Sequence, residues 1–227
     1  LARTKAVLFD LDHTLLDTRK AERRALEAAL GSVSLPFSPA ILAHYREIND
    51  EVWAAYRRGE TEPGRLSRDR FVRLVDRIGA SRRLAGRLSR TYLEAMSGRG
   101  DLLPGCRSVL RALTPRYALG VVTNGTDAVQ RARLRASGLM SLFAVVVTSE
   151  ESGFTKPDPR ILGLALARLG VRPGEALYVG DDLEVDGGAA RRARVPFLWL
   201  TASGKDFRPT VRSLAEIPPL LAARETA

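Results

Sequence analysis

Five short apolar runs stand out along the chain: Ala6–Phe9, Ala118–Val122, Phe143–Val147, Ala176–Val179 and Pro196–Leu200. Most are continuous rather than alternating, the pattern of parallel strands covered on both faces. From the second run onward, a segment of helical period separates each from the next. Thr126 to Ala136 is closed by Gly138, Pro157 to Leu169 is closed by Gly170, and Leu183 to Ala193 follows. Strand and helix alternating in this rhythm predict an α/β fold, a Rossmann-like doubly wound parallel sheet.

The stretch between the first and second runs breaks the rhythm. From about Thr18 to Gly98 it holds four helical patterns and no strand. Glu22–Leu30 ends at Gly31. Ser38 and Pro39 suit the cap and first position of a long helix with Ile41, Leu42, Tyr45, Ile48, Val52, Trp53 and Tyr56 on one face. Ser67 is the expected cap of a third helix burying Phe71, Leu74, Val75 and Ile78. Ser81 is that of a fourth carrying Leu84, Leu88, Tyr92 and Met96. These segments predict an inserted four-helix bundle over residues 17–98, with residues 1–16 and 99–227 forming the core. An insertion placed right after the first strand is expected over that strand's carboxyl end. Leu103-Pro104-Gly105 then re-enters the core.

At 227 residues the length suits a main domain with an insertion. No apolar run approaches the ~20 residues that span a bilayer, and no leader is expected ahead of the first strand. Leu1 in place of Met suggests a residue or two missing at the start. Cys106 stands alone, which excludes an internal disulfide and leaves the cytoplasm as the expected compartment. Net charge is +10, yet lysine occurs only at positions 5, 20, 156 and 205. The arginines are spread over every helical segment, mostly at polar positions, so they read as solvated helix faces rather than a nucleic-acid stripe. Such a field still raises encounter with anionic substrates.

Chemistry gathers where the apolar runs end. Asp10-Leu11-Asp12-His13-Thr14 follows the first strand, placing two carboxylates one residue apart. Burying them together is costly, and a metal ion or an electrophile explains them. The second strand runs into Thr123-Asn124-Gly125, a hydroxyl, an amide and an unhindered N–H before a helix, which make an anion cradle. Lys156-Pro157-Asp158-Pro159 supplies an ammonium, a compact charge able to pair with a carboxylate and a phosphoryl oxygen together. The fourth strand ends in Gly180-Asp181-Asp182, with Asp186 beyond. Carboxylates at two strand ends of one sheet suit a hard cation such as Mg²⁺.

The order DxDxT, TNG, KP, GDxxxxD, each at a strand's carboxyl end or a helix start, resembles the haloacid dehalogenase (HAD) superfamily with a helical cap inserted after the first motif. The resemblance covers nearly the whole chain. It implies Asp10 as nucleophile, forming an aspartyl-phosphate, and Asp12 as acid and base, its backbone carbonyl also binding metal. It implies that Thr14 fixes the loop, that Thr123, Asn124 and Gly125 hold the phosphoryl group, and that Lys156 offsets repulsion. Asp181 then completes Mg²⁺ coordination, Asp186 orients Lys156 or metal-bound water, and Asp182 is an outside candidate for the metal shell. His13 stands where glycine or asparagine is common in the family. His44 reads as a surface residue.

The family's dehalogenases generally lack the second aspartate, so Asp12 and Asp181 favour phosphoryl transfer. A phosphomonoesterase is expected, with a β-phosphoglucomutase-type mutase as alternative and a non-catalytic binding module as a further one. The Thr-Asn-Gly form and the stretch Tyr45–Trp53 resemble the branch of nucleotide 5′-phosphatases and acylneuraminate-9-phosphate phosphatases. The expected partner is a small phosphorylated substrate, a nucleoside monophosphate or sugar phosphate, taken by a monomer or homodimer without nucleic acid or membrane. Tyr45, Trp53 and Tyr56 could stack a base, but helical spacing assigns them to the bundle core.

Overall fold

The computed structural model describes residues 3–202 and 209–226, so Lys205 and the extreme ends of the expected core lie outside it. The chain forms two compact units, Leu1–Thr18 with Gly100–Ala227, and Arg19–Arg99.

In the first unit the described strands are β1 (Ala6–Phe9), β2 (Ala118–Thr123), β3 (Val145–Thr148), β4 (Ala176–Gly180), β5 (Phe197–Leu200) and β6 (Thr210–Val211). All pair in parallel, in the order β3-β2-β1-β4-β5-β6. The residues alternate between two apolar layers. Val7, Phe9, Leu119, Val121, Leu177, Val179 and Leu198 face a cluster with Cys106, Val109, Leu134 and Leu221. Ala6, Leu8, Val145, Val147, Tyr178, Phe197 and Trp199 face the other way, onto Ile161, Leu162, Ala165, Ala189 and Ala190. Burial on both faces accounts for the unbroken apolar runs, each fully buried side chain contributing roughly 1.5–3 kcal/mol.

The second unit holds α1 (Thr18–Ser32, whose first residue belongs to the other unit), α2 (Pro39–Arg57), α3 (Pro63–Arg77) and α4 (Ala85–Ser97). The Ser38 side chain accepts from the Ile41 N–H at 3.2 Å, as its position before Pro39 predicts. Ser67 does not cap α3, which begins at Pro63, a residue suited to a first helical position. Ser67 lies buried instead and accepts from the Ser89 hydroxyl at 2.7 Å. Helix α1 runs through Gly31 rather than stopping there, and Ser81 caps a single 3-10 turn that leads into α4. Tyr45, Phe71 and Tyr92 pack at tilted and edge-on angles with centroids 5.4–5.8 Å apart, so Tyr45 is core. Tyr56 is buried too, and Trp53 partly so.

The remaining helices belong to the first unit: α5 (Cys106–Leu113), α6 (Asp127–Ala136), α7 (Ser149–Ser152), α8 (Arg160–Leu169), α9 (Asp186–Ala193) and α10 (Ile217–Thr226). Strand β3 starts at Val145, not Phe143, because Phe143 closes a 3-10 turn over Met140–Leu142. Helix α9 starts at Asp186, not Leu183, because Asp182 Oδ1 turns the chain first by accepting from the N–H groups of Glu184 and Val185 at 2.9 Å.

Candidate active site

Strand β1 lies between β2 and β4, with Phe9 level with both Val121 and Val179. The sheet order reverses beside it, and open α/β sheets hold ligands at the carboxyl ends of strands at such a switch. Asp10 follows β1, Thr123 closes β2 and Asp181 follows β4, so three motifs leave the sheet at one edge.

Lys156 sits at the centre of the cluster, only 2% exposed. Its Nζ has four acceptors within reach of its three N–H groups: Asp10 Oδ1 at 2.5 Å, Asp186 Oδ1 at 2.7 Å, the Tyr178 hydroxyl at 3.0 Å and the Val122 carbonyl at 3.1 Å. Burial alone would lower its pKa; the Asp10 and Asp186 carboxylates overcome that and raise it, so it stays charged. Asp186 has both oxygens engaged, Oδ1 by Lys156 and Tyr178, Oδ2 by the Asp182 N–H at 3.2 Å. Gly180 makes room for it, since a Cβ there would collide with the Asp186 carboxyl group. Asn124 ties this corner together: its Nδ2 donates to the Lys156 carbonyl at 3.0 Å and its Oδ1 accepts from the Lys156 N–H at 2.8 Å.

Carboxylate oxygens of Asp10, Asp181 and Asp186 lie within 4.8 Å of one another. Burial, opposed by Lys156 and reinforced by its acidic neighbours, raises the pKa of Asp10 well above the carboxylate range. The half-buried Asp181 is pushed up to about 7, by burial and then by Asp186. Thr14 donates to Asp181 Oδ1 at 3.2 Å. Three carboxylates share one ammonium, so ionising all three would leave uncompensated negative charge on oxygen donors alone; burial and that charge together make Asp10 and Asp181 hold their protons more tightly than usual. That donor chemistry fits a hard divalent cation. Asp182 is not part of this group.

The Asp12 side chain turns elsewhere. It pairs with Arg133 of α6, and accepts from the Thr18 hydroxyl at 2.6 Å and from Gln130 Nε2 at 2.5 Å. Burial would raise its pKa; the Arg133 charge and these hydrogen bonds outweigh it and hold the carboxyl well below its usual range. Thr123 Oγ1 accepts from Gln130 Nε2 at 3.0 Å and from the Gly125 N–H at 3.2 Å. With both acceptor positions of Thr123 taken, its own proton is left to donate, which suits an anion. Gln130, Arg133, Thr18 and Tyr178 are functional neighbours that the sequence motifs did not single out. Arg133, 2% exposed, and Arg70, 7% exposed, also correct the reading of the arginines as solvated.

A family model described as haloacid dehalogenase-like hydrolase matches residues 4–194. The chain belongs to this family. It is 30% identical over 223 residues to pyrimidine 5′-nucleotidase YjjG of Escherichia coli (strain K12), covering 95% of this chain and 96% of that protein. It is 34% identical over 200 residues to glyceraldehyde 3-phosphate phosphatase of Methanopyrus kandleri, covering 83% and 80%. The crystal structure of the HAD-hydrolase YfnB from Bacillus subtilis, bound to magnesium, matches with a TM-score of 0.90 at 27% identity, covering 97% of this chain and 100% of that one. Relatives at comparable identity thus carry the names of a nucleotidase and of a triose-phosphate phosphatase. Family membership is therefore separable from the choice of substrate. Among the described residues no helix is long and apolar enough to cross a membrane.

Proposed function

We propose that this hydrolase is a Mg²⁺-dependent phosphomonoesterase that works through an aspartyl-phosphate on Asp10. Its substrate is a small phosphorylated metabolite, a nucleoside monophosphate or a sugar phosphate. The observation that carries this reading is the buried Lys156 ammonium, shared between Asp10 at 2.5 Å and Asp186 at 2.7 Å beside Asp181. The other Asp10 oxygen, Oδ2, has no hydrogen-bond donor on it among the described residues and keeps a lone pair for attack. The names of the relatives, a nucleotidase and a phosphatase, agree with phosphate ester cleavage.

The two half-reactions then follow from the groups present. The Asp10 carboxylate attacks phosphorus as the bond to the leaving oxygen breaks, and Asp12, having turned from Arg133 and taken up a proton from solvent, gives that proton to the oxygen. Water attacks the phosphorus next; Asp12 takes its proton, and the Asp10 carboxylate is released. Thr123 donates to a phosphoryl oxygen, Lys156 offsets charge on the nucleophile and the transferring group, and Asn124 fixes the Lys156 backbone. Asp10, Asp181 and the backbone carbonyl of Asp12 are the groups that would hold Mg²⁺. The bound cation would supply charge neutralisation for the transferring phosphoryl group. In this reading residues 1–16 and 99–227 form the catalytic core and 17–98 the cap.

Phosphate release from p-nitrophenyl phosphate, with and without Mg²⁺, tests the chemistry. Release should require the metal and fall by roughly 10³-fold or more in Asp10→Asn. Comparable kcat in the folded variant would overturn the nucleophile assignment. A panel of nucleotides and sugar phosphates then tests the substrate class, which inactivity on both would remove.

A further inference from the structure

Helix α6 buries an arginine that this chemistry does not use. Arg133 Nη1 pairs with Asp12 Oδ1 and donates to Gln130 Oε1 at 3.1 Å, while Nη2 donates to Thr18 Oγ1 at 3.0 Å. Thr18 and Gln130 each donate to Asp12 in turn, at 2.6 and 2.5 Å, so both Asp12 oxygens are occupied by three donors. The arrangement is built rather than incidental. Burying a guanidinium is expensive, and its Nε finds no acceptor among the described residues, so the fork is aimed at Asp12 and Thr18 at the expense of full pairing. Gly125 yields its side chain to the same end, because a Cβ there would collide with the Gln130 amide. Held this way, the Asp12 carboxylate lies outside the group formed by Asp10, Asp181 and Asp186.

We propose that Arg133, with Gln130 and Thr18, holds the Asp12 carboxylate in a standby orientation away from the nucleophile, which Asp12 must leave to protonate the departing oxygen. Arg133 is a positioning residue that acts through the Asp12 carboxylate it holds. The inference rests on Asp12 being the acid of the phosphatase proposed above. Weakening the cradle raises the share of enzyme whose Asp12 is free to turn, and a step drawing on a minor state gains in proportion to its population.

The test compares kcat/KM for phenyl phosphate and p-nitrophenyl phosphate, which differ little in size. Phenolate leaves poorly and needs the proton; p-nitrophenolate leaves readily without it. Arg133→Met should raise the phenyl to p-nitrophenyl ratio about three- to tenfold. Arg133→Lys should bring it back toward the wild-type value. Thr18→Val, nearly isosteric, removes one donor and should raise the ratio by a smaller factor, deciding the matter if Arg133→Met does not fold. A folding defect alone lowers both substrates together and leaves the ratio unmoved. An unchanged or lower ratio in folded variants overturns the proposal. Asp12→Asn is the control: selective loss of phenyl phosphate upholds its role as acid, whereas equal loss of both substrates removes that role, and the cradle's purpose with it.

Discussion

Arg70 in the inserted unit and Lys156 in the core unit, where Arg133 is buried too, are cations out of solvent that their surroundings treat differently. In the inserted unit Arg70 donates to the Leu66 carbonyl at 3.3 Å, the Tyr45 hydroxyl at 3.2 Å and Asn49 Oδ1 at 2.6 Å, with the Tyr92 ring 5.5 Å away. Those partners are neutral, and the charge that acts on it most among carboxylates is that of Glu22. In the core unit Lys156 faces two carboxylates directly, with a third in the same group. The first network closes on itself; the second gathers more acidic oxygens than its one ammonium balances once all are ionised. A closed network contributes to a unique packing, whereas an open one is completed by something from outside.

Removing each cation separates the two. Lys156→Met should lower phosphatase kcat by roughly 10³-fold, the scale of losing a preorganised charge at the reacting group. Arg70→Met should instead cost about 2–4 kcal/mol of stability by orphaning the Tyr45 and Asn49 oxygens. A thermal scan would read that as a Tm lowered by about 5–15 °C for a chain of this length. Turnover retained in Lys156→Met, with stability lost as in Arg70→Met, would erase the distinction.

Titration sharpens it. Asp181 has its folded pKa raised to about 7, so it binds a proton more tightly folded than unfolded. Its contribution to stability is fully present below the ordinary carboxylate pKa of about 4 and fades as pH rises through the folded value. Metal-free protein in EDTA should therefore lose Tm from this group as the solution goes from acid to neutral. Mg²⁺ favours the charged carboxylate and opposes that loss, so the Tm difference between the Mg²⁺ and EDTA samples should widen over the same range. A difference independent of pH would mean that the excess charge is not what the cation answers.

The parts legible in the sequence are those where one residue type has one physical reason to be present. Continuous apolar runs mark strands buried on both faces, and β1, β2 and β4 lie within a residue of where those runs fall. Carboxylates directly after such strands mark the site edge, because nothing in a packed interior explains them. Strand β6 escaped because two residues carry no periodicity. Ser67 shows a different failure: a serine ahead of an apolar helical run reads as its cap, yet α3 starts at Pro63 and Ser67 lies inside it, bonded to Ser89. Arg133 was hidden by its own chain. Where arginine fills so many helix faces, one whose face turns inward looks like the others, and only the tertiary fold brings Asp12 to Arg133.

The smallest effect concerns backbone strain, and it again sets one unit against the other. His13, inside the first motif, and Ser34, in the inserted unit, are both exposed and both left-handed, with φ of 59° and 58°. Glycine lacks the Cβ that clashes with the carbonyl there, and asparagine offsets the clash by bonding its short side chain to the local backbone, whereas most other residues carry the strain. Asparagine is the cleaner substitution, since glycine also loosens the unfolded chain. Ser34→Asn should gain about 0.5 kcal/mol, seen as a Tm raised by about 1–2 °C. Relief of backbone strain alone would give His13→Asn the same gain. A smaller gain at His13 would show that its imidazole offsets the strain through its place beside Asp12, whereas equal gains would mark it as a residue tolerated rather than required.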